Sequence, residues 1–237
     1  MPDSKRFFYE EIAHDFDQLH NTYDLRRRLE VIDQQLEREQ PHVGLALDAG
    51  CGSGEFSALV RRRAKRLISL DISVSLVKVA AQKAGSLGVA ADALALPFQG
   101  DLFELVVSSE MVEHTVTPAR AIDELVRVLN PGGVLVLTTP NHRWEWLVRL
   151  ASRLGARAFH GYENFLGFRE LTHAANATGL ETTRHFGFHP WPFQLKFLQG
   201  LSAYVDRAFG YSSWGEWMIN QVIVGRKRRT GHSRPFG

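Results

Sequence analysis

The chain has 237 residues, 44% of them hydrophobic, with a net charge of +2, which suits one α/β domain with a sizeable core and excludes a disordered protein. So small a charge offers no field for a polyanionic partner, and no apolar run approaches the roughly 18 residues of a membrane-spanning helix. The single cysteine, Cys51, excludes an intrachain disulfide and any zinc site built on paired cysteines.

In chain order, the start MPDSKRFFYEEI lacks the apolar centre of a secretion signal, so a cytoplasmic location is expected. Residues 8–38 read as a polar helical cap. VGLALDAG (43–50) is a buried strand, 54–65 a helix, RLISLDIS (66–73) a second strand, 74–85 a helix and 88–91 a short third strand. LFELVVSS (102–109) is a fourth strand and 117–129 a helix. The turn Asn130-Pro131-Gly132-Gly133 launches a fifth strand over 134–140. Strands alternating with helices mean βαβ units and a parallel sheet. Helices are expected over 143–156 and 168–178, and late strands over 179–188 and 217–225. The stretch between those strands, 189–215, is too long for a hairpin loop and reads as an inserted helix that covers something. The whole chain is read as a single domain with its cofactor core at 43–141 and substrate or lid elements at 142–215. A basic tail at 226–237 reads as solvated and flexible.

LDAGCGSGEF (47–56) is the informative loop. A dinucleotide site wants G-x-G-x-x-G after the first strand. Here Gly50, Gly52 and Gly54 alternate, and Glu55 stands where the third glycine of that motif belongs. With Asp48 on the other side of the loop, two acids oppose a pyrophosphate. A P-loop is excluded because no Gly-Lys-Ser/Thr follows. S-adenosylmethionine (SAM) fits better. It carries a sulfonium and an ammonium, for which Asp48 is a counter-charge, and a carboxylate that backbone N–H groups can hold. Asp71 ends the second strand 21 residues after Gly50, the spacing of a carboxylate that accepts from both ribose hydroxyls. Asp92, past the third strand, suits an adenine amino group, with Ala93 offering its backbone. The competing reading of Asp92 is a loop acid that caps the next turn. Cys51 reads as a small apolar residue under the cofactor.

LDAGCGSGEF, ISLDIS, ADALALPF, LVVSSEMVEHT and RVLNPGGVLVLTTPN occur in order. Together they resemble the motifs of class I SAM-dependent methyltransferases. That resemblance implies a Rossmann-like, mostly parallel seven-stranded sheet of order 3-2-1-4-5-7-6, the last strand antiparallel and helices on both faces. It also implies a cofactor site made of Asp48, Ala49, Gly50, Cys51, Gly52, Asp71, Ile72, Asp92, Ala93, Ser109 and Glu110. EMVEH (110–114) is similar to the E-M-x-E-H segment of ubiquinone-biosynthesis-type O-methyltransferases. YEEIAHDFD (9–17) is similar to the leading helix of many small-molecule methyltransferases, which implies that Tyr9 touches the methionyl end.

Methyl transfer to a hydroxyl benefits from a base, and His114 at the fourth-strand tip is the first candidate; its rival role is structural. His142, after the fifth strand, is the second. Glu113 either orients His114 or faces solvent. The fifth strand ends without the Asp-Asn pair of metal-dependent catechol methyltransferases, so no metal is expected. Ser-Ser-Glu-Met after the fourth strand, where amino-directed DNA enzymes carry Asp/Asn-Pro-Pro-Tyr/Phe, argues against nucleic acid. Rings at 144–168 and 191–209 are expected mostly to fill core, the remainder suiting a lid for an apolar acceptor. His185 and His189 border that lid as polar handles. Residues 191–209 carry one lysine and one arginine, too few for a typical membrane-surface helix, so no stable membrane insertion is expected. The chain is read as a monomer or homodimer acting on a small-molecule acceptor, by O-, C- or N-methylation, or else as a non-catalytic SAM-binding partner subunit.

Overall fold

The computed structural model describes residues 8–13, 16, 21–39, 42–153, 163–192 and 195–229. Seven strands form one sheet: β1 (Val43–Ala49), β2 (Ala64–Asp71), β3 (Leu87–Ala90), β4 (Phe103–Ser109), β5 (Leu129–Pro140), β6 (Leu180–Phe188) and β7 (Asn220–Lys227). Their order is β3-β2-β1-β4-β5-β7-β6. β1 to β5 run parallel, and β7 runs against both of its neighbours. The expected order and the single reversed strand are both present.

Helices cover both faces, as continuous apolar strands demand. On one side α1 (Thr22–Glu39) contributes Val31, Ile32 and Leu36, and α2 (Glu55–Arg61) contributes Phe56, Leu59 and Val60. On the other, α4 (Pro118–Val128) and α6 (Phe168–Ala177) bury Ile122, Leu125, Leu171 and Ala175. α3 (Val74–Ala84) packs at the β2–β3 end, capped by Ser73, whose Oγ accepts from Leu76 N, and closed by Gly85 at φ 60°. α5 (Glu145–Arg153) and α7 (Gln199–Phe209) complete the set.

Several boundaries differ from the sequence reading. The cap is not one helix: residues 8–12 are helical, and α1 starts afresh after Asn21, whose side chain accepts from Tyr23 N and Asp24 N. The Asn130–Gly133 turn lies inside β5 as an irregularity. Leu129 already pairs with Phe103, and the register resumes at Val134 opposite Leu105. Gly132, at φ 86°, permits the detour. Arg226 and Lys227, read as the start of a solvated tail, end β7 instead; Arg226 bonds Glu39 and Lys227 bonds Asp101. Residues 230–237 lie outside the described residues.

The polar helix α1 is not a solvated one. Its Asp24, Arg27, Arg28 and Gln35 are buried, which is tolerable only with partners. Arg27 Nε meets Asp206 Oδ2 at 3.0 Å, and Arg28 meets Asp24 at 2.9 Å. Asp24 also meets His189 Nε2 at 3.1 Å, and His189 N donates to Asp206 Oδ1 at 2.9 Å. Burial works against the ionised Asp24, but Arg28 and His189 outweigh it and hold its carboxyl below the usual range. Breaking one partner strands a buried charge. Asp206→Ala is therefore expected to destabilise the protein by about 3–5 kcal/mol in urea unfolding, whereas Asp123→Ala, at the exposed Arg120–Asp123 pair, changes little.

Candidate active site

The loop after β1 is shaped by its three glycines, at φ 79° (Gly50), 50° (Gly52) and 92° (Gly54), a region that side chains avoid. Each is also pressed by a neighbour. A Cβ on Gly50 would come 2.4 Å from Met111 Cγ, one on Gly52 2.7 Å from the Phe16 ring, and one on Gly54 2.6 Å from Ala80 Cα. Gly54 thus sets α2 close against α3. The N–H groups of Gly50 and Cys51 donate to Leu70 O, that of Gly52 to Asp71, and that of Gly54 to Cys51 O. The sequence reading had such N–H groups holding a ligand carboxylate; these four are already paired within the protein. Cys51 is buried against Val77 and Ala80, and burial drives its thiol pKa up, so it is an inert packing residue.

Asp48 lies beneath the loop, 1% exposed. Its Oδ2 accepts from Ser57 Oγ at 2.6 Å, and Ser57 continues to Ser69 and Ser86. Its Oδ1 has no hydrogen-bond partner. Burial pushes its pKa up to about 7, the Ser57 bond opposing and Asp71 adding. Ala49 beside it is fully buried. Asp71 accepts from Gly52 N at 3.0 Å and Ser73 N at 3.1 Å, and burial raises its pKa against those bonds and that of Ile72 N. Asp92 accepts from Leu94 N at 2.9 Å, the turn-capping role weighed for it, with Ala93 buried at its side.

The segment before α1 folds over this loop. Phe16 covers Gly52. The Glu10 carboxylate takes hydrogen bonds from Ser73 Oγ at 2.7 Å and from Ser75 Oγ, at the N-terminus of α3; these bonds hold its pKa below the usual range. Tyr9 lies edge-on to His114, ring centroids 6.1 Å apart. Burial, and then the charges of Asp71, Glu113 and Glu163, raise its pKa. Tyr9 thus spans from the β2 end to the β4 tip.

At that tip Glu110 sits at φ 53°, held by its N–H to Thr138 O. The carboxylate accepts from Asn220 Nδ2 at 3.2 Å. Burial raises its pKa to about 7 against the pull of Arg28. Ser109 Oγ lies 2.9 Å from Thr138 Oγ1 and 3.5 Å from Arg28 Nη1. Glu113 does not face solvent: it is buried, accepts from Thr139 Oγ1 at 3.1 Å, and burial and Glu110 drive its pKa well up. His114 is half-buried in the short turn Val112–His114. His142 is exposed instead, its Nδ1 held 2.6 Å from Glu145 Oε2. His185 bridges Thr172 and Gln221, stacked on Phe168; burial lowers its pKa to about 4. His189 is fully buried in the α1 network. Neither is a polar handle on an open lid.

Sequence reasoning missed Glu10, Phe16, Met111, Arg28 and Asn220. Glu10 and Phe16 sat inside a recognisable leading segment, but nothing local marks Arg28 or Asn220.

A Rossmann-like sheet of this order, with a glycine loop after β1 and carboxylates at the ends of β1 and β2, defines the class I SAM-dependent methyltransferase architecture. Residues 47–137 match the family described as a methyltransferase domain. A "Probable S-adenosylmethionine-dependent methyltransferase" of Mycolicibacterium smegmatis is 30% identical over 210 residues, covering 84% of this chain and 78% of that protein. A ubiquinone biosynthesis O-methyltransferase of Xanthomonas axonopodis pv. citri is 31% identical over 179 residues, covering 69% and 73%. A solved geranyl diphosphate C-methyltransferase of Streptomyces coelicolor, in complex with Mg2+, geranyl diphosphate and S-adenosyl-L-homocysteine, aligns with a TM-score of 0.63 at 18% identity, over 85% of this chain and 80% of that one. The chain belongs to the SAM-dependent methyltransferases, and SAM is its cofactor. No described helix is long and apolar enough to cross a membrane.

S-adenosylhomocysteine at about 100 times its Kd is expected to raise Tm by roughly 5–11 °C, NAD to leave it unchanged, and Asp71→Ala to abolish the shift. Asp48 adds a pH signature. Its folded pKa lies above its unfolded value, so the stability present below the unfolded pKa is lost as pH rises toward about 7. Asp48→Asn is expected to raise Tm by about 3 °C or more at pH 8, with the gain shrinking towards pH 4.

Proposed function

We propose that this enzyme methylates the hydroxyl of a small aromatic, quinone-like or lipid-like acceptor, and that His114 takes the hydroxyl proton. The observation that carries this reading is the position of His114 beyond the carboxyl end of β4, its ring against Tyr9, where sites in this architecture lie. When bound, SAM supplies a methyl group already activated on sulfonium, so the protein's task is orientation, desolvation and one proton. The residues present fit that cofactor. The unpartnered Asp48 Oδ1 would meet an ammonium or its water, and Asp71 has lone pairs left for the ribose hydroxyls. Ile72, Asp92 and Ala93 would hold the adenine, and Tyr9, Ser109 and Glu110 the methionyl end.

Burial and Glu110 raise the pKa of Glu113, and the proton is assigned to the His114 imidazole, the side chain type best suited to proton transfer near neutral pH. With SAM bound, the methyl group would come from its sulfonium, and the proton of the acceptor hydroxyl would pass to His114. His142, exposed and held by Glu145, has no part in this scheme. The ubiquinone O-methyltransferase relative supports oxygen as the methylated atom.

His114→Ala is expected to lower kcat with a phenolic or quinol acceptor by about 10²–10⁴-fold, leaving the S-adenosylhomocysteine Tm shift intact. An unchanged kcat would make His114 structural. A shift without turnover of any acceptor by the wild type would favour a partner-dependent subunit.

A further inference from the structure

The helix α7 is seated the wrong way round for a soluble protein. Its inward face is polar: Ser202 and Asp206 are buried, Asp206 bound to Arg27 and to His189 N. Its outward face is apolar. Phe197, just ahead of it, is 81% exposed, Leu201 50% and Tyr204 69%. With Ala208, also exposed, these residues recur at helical spacing and form one stripe. Ordinary amphipathic packing would have buried that stripe. The pairing of Asp206 with Arg27 prevents it.

The apolar surface continues beyond the helix. Trp214 is 67% exposed and Trp217 60%, in the turn Ser213–Trp217, and Trp146 is 63% exposed at the start of α5. That turn and α5 are joined: Trp144 Nε1 donates to Trp217 O at 2.9 Å, and the Arg143 guanidinium lies 4.0 Å from the Trp217 ring centre. Asn141, at the end of β5, anchors the same turn through Glu216 O and Met218 O. The surface therefore begins at the carboxyl end of the sheet, where the site lies.

The exposed charges around it are arginines. Arg143, Arg149 and Arg207 are exposed, and no acidic residue among the described residues of 142–150 and 195–217 is. Asp206 is buried, Glu145 and Arg149 pair with each other, and Glu216 is half-buried in the tryptophan turn, so Arg143 and Arg207 carry the rim's charge among the described residues. Tryptophan and tyrosine rings with arginine beside an apolar stripe are the residue set of a bilayer interface. A cationic rim matches anionic headgroups, each near-surface charge contributing attraction within a Debye length. A second copy fits less well, since two-fold pairing of this face would bring its exposed arginines together with only the half-buried Glu216 to meet them.

We propose that the outward face of α7, the tryptophan turn at 213–217 and the start of α5 form a docking surface for an anionic lipid bilayer. The helix lies in the headgroup layer without crossing it. This goes beyond the methyl-transfer reading and does not depend on which acceptor is used.

The test is co-sedimentation of the full chain with vesicles of phosphatidylcholine containing roughly one third phosphatidylglycerol, and with phosphatidylcholine alone. The wild type is expected to pellet with the mixed vesicles, less at high salt, and weakly with the neutral ones. Phe197→Glu with Tyr204→Glu is expected to lower the bound fraction about tenfold or more, while its Tm and S-adenosylhomocysteine shift stay those of the wild type. Arg143→Glu with Arg207→Glu is expected to remove the preference for anionic lipid. Wild type left in the supernatant with mixed vesicles would overturn the proposal. So would equal pelleting of the Phe197/Tyr204 variant, or a light-scattering mass of a dimer that this variant returns to monomer. A retained S-adenosylhomocysteine shift in any of these cases leaves the methyltransferase reading standing.

Discussion

A charge enters a protein interior only with a partner, and the architecture around this sheet follows from four such partners. Arg27 needs Asp206, Arg28 needs Asp24, and Asp24 and Asp206 both engage His189. The first pair clamps α1 to α7, and the second sets Arg28 beside Ser109 and within the field of Glu110 and Glu113. Without it, the β4 tip would hold two carboxylates and no cation. The same network turns the polar side of α7 inward and its apolar side out. Catalytic electrostatics and the outer surface are thus consequences of one set of ion pairs. Such a network contributes specificity more surely than stability, because the cost of desolvation offsets much of the attraction.

The glycine loop shows the opposite balance. Asp48 is buried with one oxygen unpartnered and its pKa driven up to about 7. A neutral residue of the same shape would be cheaper to fold. Carrying that cost is reasonable where a cationic ligand group is to be met, since buried, perturbed carboxylates cluster at functional sites. Above the loop, Tyr9, Glu10 and Phe16 reach the β4 tip, the start of α3 and Gly52 respectively. One short segment thereby touches three of the walls around the cofactor site, in keeping with a cover over that site.

Much of this was legible before any coordinates. The βαβ alternation, the strand order implied by the resemblance, the glycine loop and the acids at the ends of β1 and β2 all recur in the structure. The rings and the surface charges were less legible. Rings at 146, 197, 204 and 209, expected mostly to fill core, are exposed; those at 159, 162 and 193 lie outside the described residues. The sequence argument against a membrane surface counted basic residues over 191–209. It could not see that Asp206 is withdrawn from the surface, or that Arg143 and Arg149 join it from another helix. His114 ranked ahead of His142 as a candidate by position alone, and the fold half-buries the first and exposes the second.

What the sequence determined by itself is whatever short-range physics decides. Apolar periodicity chose strands and helices, and the positive φ of the loop demanded glycine at positions 50, 52 and 54. Tertiary structure alone decided which charges of α1 are buried and which face of α7 meets the solvent. Those outcomes rest on contacts between residues far apart in the chain, 179 positions for Arg27 with Asp206 and 165 for Asp24 with His189. No local pattern announces that an arginine will find its carboxylate at such a distance. Once it has, the buried pair fixes which side of the helix that carries it faces inward.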